Sequence, residues 1–522
     1  MIREISRRKC LRLWLCKPEY MERTKWENRF VLLRFWKKNY MMFLKDLKRF
    51  KMERLYDKLK AYSESDFYAF HMPGHKRNKA LLGIELPYDL DITEIDGFDD
   101  LHHADGILKE EQERAARVFG AEESHFLVNG STAGILSAVM GCTHRGDKIL
   151  VARHCHKSIY HAIYMNGLVP RYVYPEFDIS MHMNGEISKE DVAKALAAEP
   201  DIKAVVIVSP NYDGVVSDVK GIAEVAHSYK IPLIVDEAHG PHFGFHPAFP
   251  ERANDLGADV VINSLHKTLP SLTQTAILHI NGKFANRRRI KKYLDMLQSS
   301  SPSYIFMASL DACVDFLDGK CENAFELYVE RLQKFREELE PLQHLQILRT
   351  EHYDISKVVI STANANITSP ELAERLRKEY HLEMEMTGGT YVLAMTTVAD
   401  TQEGLDRLKA ALLEIDGQLE AKTAVSGSIE ISGELPRLEQ YFTPQETADR
   451  EEDGEAEEIP WKESEGYISL EYAYLYPPGS PVIVPGERIS REAVELLCYY
   501  ETQNLQIEGI QTEGKIKVWK HE

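Results

Sequence analysis

A chain of 522 residues with a formal net charge of -19 and 44% apolar residues can build a large core, and its acidity argues against a nucleic-acid partner gripped through its phosphates. Any anionic ligand has to be met by local donors instead of a basic field. The length allows one large domain with smaller attachments.

Residues 1–51 do not match the rest, holding 16 Lys/Arg against 5 Asp/Glu. Charges break every apolar run there well short of the roughly 18 residues that span a bilayer, and no signal-peptide cleavage pattern follows. The segment reads as a basic amphipathic extension ahead of the orderly sequence that starts at Met52. A start assigned too far upstream and a membrane-surface helix are the alternatives.

From about residue 115 to 280 the pattern is strand, turn, helix, repeated. "SHFLVNG" (124–130) leads into the apolar helix "ILSAVMG", and strands follow at 148–153, 170–176, 202–211, 231–240, 258–267 and 275–280. Helical runs over 188–199 and 219–229 lie between some of them. Short β-branched runs without polar alternation, separated by helices, predict a mostly parallel sheet covered on both faces, an α/β architecture. After about residue 320 longer helices (323–342, 369–381) alternate with strands at 354–362 and 390–398, predicting a smaller α+β domain. The acidic stretch 447–460 reads as a solvated loop, and the Pro/Gly-rich "YPPGSPVIVPGE" (476–487) marks a final module. The division expected is 1–51, 52–320, 321–425 and 426–522, with no internal repeat.

Seven cysteines, at 10, 16, 142, 155, 313, 321 and 498, form no CxxC pair, which suits free thiols in the cytoplasm. Cys155 lies between His154 and His156, but adjacent residues rarely point at one ion, so no metal is expected.

In parallel sheets ligands bind past the carboxyl ends of the strands, and the polar clusters fall there. "NSLHKT" (263–268) ends a buried-looking strand with Lys267. A desolvated ammonium is costly unless its pKa falls, the condition under which lysine forms a Schiff base. The matching aldehyde is pyridoxal phosphate, which also needs an acid for its ring nitrogen, a phosphate cradle and a flat partner. Asp236 ends the preceding strand, and His239 is placed to reach the ring's phenolic oxygen. Asn129 through Gly134 open a helix whose free N–H groups suit a phosphate; Ser131, Thr132 and Ala133 sit at its start, with Ser264 and His266 as further donors. His156, past another strand end, can stack on the ring. Each cluster alone has a bland reading as a cap or turn; their order and spacing carry the inference. "DEAH" also occurs in nucleotide-driven motors, but the glycine-rich Gly-Lys-Ser/Thr loop those require is absent.

These residues resemble the pyridoxal-phosphate-dependent ornithine/lysine/arginine decarboxylases with the aspartate-aminotransferase fold (fold type I). The stretches that carry the likeness are "FHMPGHKRN" (70–78), "DITEIDGFDDLHHADG" (91–106), "FLVNGSTAGI" (126–135), "HKSIYHA" (156–162), "VDEAHGPHF" (235–243), "SLHKTLPSLTQTA" (264–276), "SPSYIFMASLD" (301–311) and "YPPGSPVIVPGE" (476–487). The resemblance implies Lys267 as the cofactor lysine, Asp236 as ring-nitrogen partner and His156 as stacking group. It also implies a homodimer with shared sites, in which Ser303 of one subunit touches the other's phosphate, and a basic amino-acid substrate. Arginine comes first, because the short form resembles biosynthetic arginine decarboxylases of polyamine synthesis; lysine and ornithine follow. Glu94, Asp96, Asp99, Asp100 and Glu471 are the candidates for the substrate's distal cation. Two departures stand out: the receiver-like amino-terminal domain of the large members is replaced by the basic stretch, and Tyr467 stands where a basic residue is common. An aminotransferase on the same fold, expected to aim a late arginine at the cofactor, and a non-catalytic regulator are the competing readings.

Overall fold

The computed structural model describes residues 54–81, 83–178, 183–348, 350–422, 434–475, 479–502 and 505–520. The basic extension 1–51 and the expected boundary at 425/426 fall outside them. Met1–Lys58 and Leu59–Glu522 are separate compact units, and everything below lies in the second.

Seven strands form the central sheet: β1 (Glu123–Leu127), β2 (Lys148–Ala152), β3 (Val169–Val173), β4 (Val205–Val208), β5 (Leu233–Asp236), β6 (Val260–Asn263) and β7 (Ala276–Ile280), in the order β1-β7-β6-β5-β4-β2-β3. β2 through β6 pair in parallel, whereas β7 is antiparallel to both β6 and β1. Two antiparallel steps restore direction, so β1 runs the same way as β2 to β6 and all six share one carboxyl edge. The five inner strands are buried on both faces, as their apolar runs require, while the edge strands β1 and β3 are only partly covered.

Helices α1 (Ile107–Phe119), α2 (Gly130–Cys142), α3 (Lys157–Met165), α4 (Lys189–Ala198) and α5 (Val219–Ser228) punctuate these strands. Ser188 caps α4 by accepting the Asp191 N–H, and Asp218 caps α5 by accepting that of Gly221; each such cap contributes about 1 kcal/mol. A single turn, α6 (Leu265–Thr268), separates β6 from β7.

The smaller region carries an antiparallel sheet, with β8 (Gln346–Ile347), β9 (Lys357–Ser361), β10 (Met386–Thr387) and β11 (Tyr391–Met395) in the order β8-β9-β11-β10. Beyond it the final module packs its own apolar cluster around Trp461, Ile483, Leu496 and Val518. The stretch expected as a solvated loop is instead helix α7 (Pro444–Glu452) followed by β12 (Ala456–Pro460), which pairs with β13 (Lys515–Trp519). A capping box of Thr443 and Glu446, with Pro444 in the first turn, starts that helix, and Ile459 packs against the module's core. Acidic composition hid both signals.

Arg153, at the end of β2, is fully buried and joins the module to the central sheet. Its guanidinium donates to the Pro481 and Val482 carbonyls at 2.6 and 3.0 Å and to Glu487 at 3.0 Å. Burial favours the neutral carboxyl, but a guanidinium keeps its proton and Glu487 also accepts the Val484 N–H at 2.8 Å, so the pair is held charged. Glu487→Gln should remove about 3–5 kcal/mol by stranding that charge. Chemical denaturation with an unmoved midpoint would reject the assignment.

Candidate active site

The shared carboxyl edge brings the predicted clusters together. A cavity of about 450 Å³ is lined by Gly130, Ser131 and Thr132 after β1, His154 and His156 after β2, Asn211, Tyr212 and Asp213 after β4, Asp236 and His239 at β5, and His266 and Lys267 after β6. Glu385 and Met395 from the small sheet and Ser480 from the final module complete the wall.

Lys267 is held by its turn within 2.7 Å of His239 Nε2. Burial pushes its amine down to about 8, against the pull of the Asp236 carboxylate. Asp236 is itself raised by burial, opposed by Lys267 and by the Ala238 N–H at 3.2 Å. Each group is too dry for its charge despite the other. The surrounding imidazoles follow the same rule: burial, reinforced by Lys267, lowers His156 to about 4 and His239 well below the ordinary range. His156 Nδ1 accepts from the Ser158 hydroxyl at 2.9 Å and from its N–H at 3.3 Å, which fixes the ring as a neutral plane at the start of α3. The His239 ring lies 4.5 Å from that of Tyr212.

The opening of α2 suits an anion. Asn129 makes no side-chain cap, leaving the Ser131 and Thr132 N–H groups at positions where a helix has no internal acceptor. Gly130, at φ +73, adopts a backbone that disfavours a side chain, and the space a Cβ would take is open. Ala133 is buried behind this turn. Ser264 Oγ and His239 Nδ1 are buried without partners among the described residues. Ser264 does not line the cavity, whereas His239 does; an orphaned imidazole nitrogen in the same cavity as an uncapped helix start, a buried acid and a low-pKa amine fits pyridoxal phosphate. His266 Nδ1 donates to the Thr275 carbonyl at 2.9 Å, so its other nitrogen can donate to a phosphate only from the imidazolium.

Ser303 instead caps the helix Tyr304–Leu317 and does not line its own chain's cavity. Neither do Glu94, Asp96, Asp99, Asp100 and Glu471. Asp99 accepts N–H groups of Asp100, Asp105, Gly106 and Leu108, Asp100 those of His102 and the His103 ring, and Glu471 those of Gln511 and Lys517. Asp213 and Glu385 are the carboxylates present besides Asp236. Asp213 is buried, pushed up to about 6 by burial and bonded to Tyr391 Oη at 2.6 Å. Glu385 is exposed and accepts the Tyr212 hydroxyl. The strand-end rule that found Asp236 applies to Asp213 too, whereas Glu385 comes from a distant sheet and carries no local signal. A larger hollow of about 600 Å³ beside α1 holds cations already paired, Arg287 and Lys291 with Glu123. Among the described residues no group could hold a metal ion, no helix is long and apolar enough to cross a membrane, and all five cysteines are free.

The family model described as "Orn/Lys/Arg decarboxylase, major domain" matches residues 53–421, and that described as "Orn/Lys/Arg decarboxylase, C-terminal domain" matches 433–514. The chain is 33% identical to the arginine decarboxylase of Bacillus subtilis (strain 168), over 87% of this chain and 95% of that protein. It is 32% identical to the arginine decarboxylase of Bacillus anthracis, over 89% and 97%. The crystal structure of Francisella novicida lysine decarboxylase superimposes with a TM-score of 0.77 at 20% identity, covering 92% of this chain and 83% of that one, which supports the fold type I architecture.

A base lowered from 10.5 to about 8 is deprotonated at correspondingly lower pH, and only the free amine attacks an aldehyde. Attachment of pyridoxal phosphate to cofactor-free protein should therefore accelerate with pH and level off just above 8, followed by its visible absorbance. A rate still climbing at 10.5 would show an ordinary, solvated lysine.

Proposed function

Because the chain belongs to the Orn/Lys/Arg decarboxylase family, whose members are pyridoxal-phosphate-dependent carboxy-lyases, we propose that it converts arginine to agmatine and carbon dioxide, with Lys267 carrying the cofactor. When bound, pyridoxal phosphate supplies an aldehyde for the amino group and an electron-poor ring that receives the electron pair left as the carboxylate departs.

The chain's residues supply the rest. Asp236 holds the proton on the ring nitrogen, and His156 offers the ring a flat, uncharged partner. The N–H and hydroxyl groups of Ser131 and Thr132, with Ser264 and His266, hold the phosphate. Lys267, with an amine lowered to about 8, takes up and returns protons at the substrate's nitrogen and Cα, while His239 at 2.7 Å holds it in place.

The observation that carries the arginine reading is the presence of two carboxylates, Asp213 and Glu385, in the cavity that contains Lys267. A planar guanidinium can engage both, while an ammonium needs one. The names of the relatives, arginine decarboxylase in each of two proteins about one-third identical, support the same choice. The aminotransferase alternative calls for an arginine facing the cofactor; among the described residues lining the cavity none is an arginine. The reading includes a cytoplasmic enzyme of polyamine synthesis acting as a homodimer, with Ser303 serving the other subunit's phosphate. Phe67, Tyr68, Phe70 and Met72, each more than half exposed, form an apolar strip suited to that contact.

Purified protein with pyridoxal phosphate should release carbon dioxide and amine from arginine at least about tenfold more efficiently than from lysine or ornithine. Preference for lysine would overturn the arginine reading, and no carbon dioxide from any of them would overturn decarboxylation. Lys267→Ala should abolish both turnover and borohydride-fixed cofactor. Glu385→Gln should lower kcat/KM for arginine about ten- to a hundredfold, the loss expected for one hydrogen bond to a charged group.

A further inference from the structure

Outside the groups that face the cofactor, a deeply enclosed polar cluster joins the lysine turn to the small sheet. His242, 1% exposed, bridges Thr268 and Asp354, which are themselves 1% and 0% exposed. Its Nδ1 lies 3.0 Å from Thr268 Oγ1, and its Nε2 lies 3.1 Å from Asp354 Oδ1. Asp354 also accepts the Ser356 N–H at 3.0 Å and its hydroxyl at 2.7 Å, and the Lys357 ammonium stands 3.7 Å away. With these donors the carboxyl is held well below the usual carboxylate range in spite of its burial. A carboxylate only accepts, so Nε2 donates to it and Nδ1 is left to the Thr268 hydroxyl.

Each end of this chain of bonds belongs to a wall of the cavity. Thr268 follows Lys267 in the turn α6. Asp354 leads into β9, which pairs with β11 through Val359 and Leu393, and the Leu393 carbonyl accepts the Glu385 N–H at 2.9 Å. The Asp354 N–H is in turn donated to the Gly214 carbonyl at 2.8 Å, next to Asp213, and a bridge between Val215 and Tyr353 reinforces that contact. Both distal carboxylates are thus referred to Asp354 through backbone hydrogen bonds, and Asp354 is referred to the lysine turn through one imidazole.

We propose that Asp354, His242 and Thr268 form a positioning relay that fixes the separation between Lys267 and the carboxylates Asp213 and Glu385, and with it the length of side chain the cavity accepts. The inference rests on the roles given above to Lys267 and Glu385. The side-chain polar atoms of His242, Thr268 and Asp354 all have partners, so any shift among these three leaves a polar group dry and unpaired. The imidazole is a rigid spacer between the two walls, so the small sheet cannot slide relative to the lysine without breaking a bond at one end. Arginine and lysine differ in reach and in the shape of the distal cation. Loosening the spacer lets the clamp follow the shorter chain, which erodes discrimination more than it erodes binding.

The test uses the holoenzyme and the variants Thr268→Val, Thr268→Ser and Asp354→Asn. Two quantities are read: kcat/KM for arginine and lysine, and by calorimetry the Kd of agmatine and cadaverine, the amines each reaction leaves. Thr268→Val and Asp354→Asn should lower the arginine-to-lysine ratio about five- to tenfold, the scale of one hydrogen bond. The agmatine-to-cadaverine ratio of Kd values should compress likewise, and Thr268→Ser should keep the wild-type ratios. Borohydride-fixed cofactor should stay at wild-type levels in all three. Thr268→Val adds no charge and keeps the side-chain shape, so it reads the relay even where Asp354→Asn lowers the yield. Losses equal for both substrates and both amines would overturn the relay while leaving the decarboxylase reading intact. A wild-type enzyme without arginine preference would overturn that reading, and the relay with it.

Discussion

The dryness of one amine organises this molecule. Lys267 stands where a parallel sheet ends, beside an acid equally short of water, and neither gains enough from the other to offset its lost hydration. Such a pair is stabilised by a ligand that brings its own complementary charges, a protonated ring nitrogen for Asp236 and an aldehyde for the amine. The neutral imidazoles around them follow from the same condition, since a third and fourth charge in that volume would raise the cost further.

The sheet makes this possible by geometry alone. Because β7 is antiparallel to both of its neighbours, β1 is returned to the common direction, and the helix start that suits a phosphate opens on the same edge as the lysine. The rest of the wall is contributed from outside the sheet. Glu385 arrives from the smaller region, and Ser480 from the final module donates its hydroxyl to the His154 carbonyl at 2.7 Å. The sheet supplies the groups suited to the cofactor and, in Asp213, one of the two further carboxylates, while the added regions supply the other, Glu385, and Ser480.

This division explains what could be read before the fold was seen. Strand-end clusters announce themselves, because a polar group following a buried β-branched run has few places to go; Lys267, Asp236, His156 and Ser131 were legible for that reason. Asp213 obeys the same rule, but in sequence it looks like an ordinary turn residue between Tyr212 and Gly214. Glu385 was invisible, since its place depends on pairing between strands far apart in sequence. Acidic residues misled in the opposite direction. Asp99 and Glu471 look available in sequence, yet they are consumed by backbone N–H groups, and the charge-rich run at 447–460 hides a capped helix and a paired strand.

The clamp around Arg153 has a bearing on the order in which the molecule can be made. Its partner Glu487 lies 334 residues further along, so the strand end beside His154 and His156 acquires that partner only by closing a very long loop. Closing so long a loop is slow compared with forming the local βα units. The βα units that present the lysine and the acid need no such closure, whereas the side of the pocket that the final module covers does.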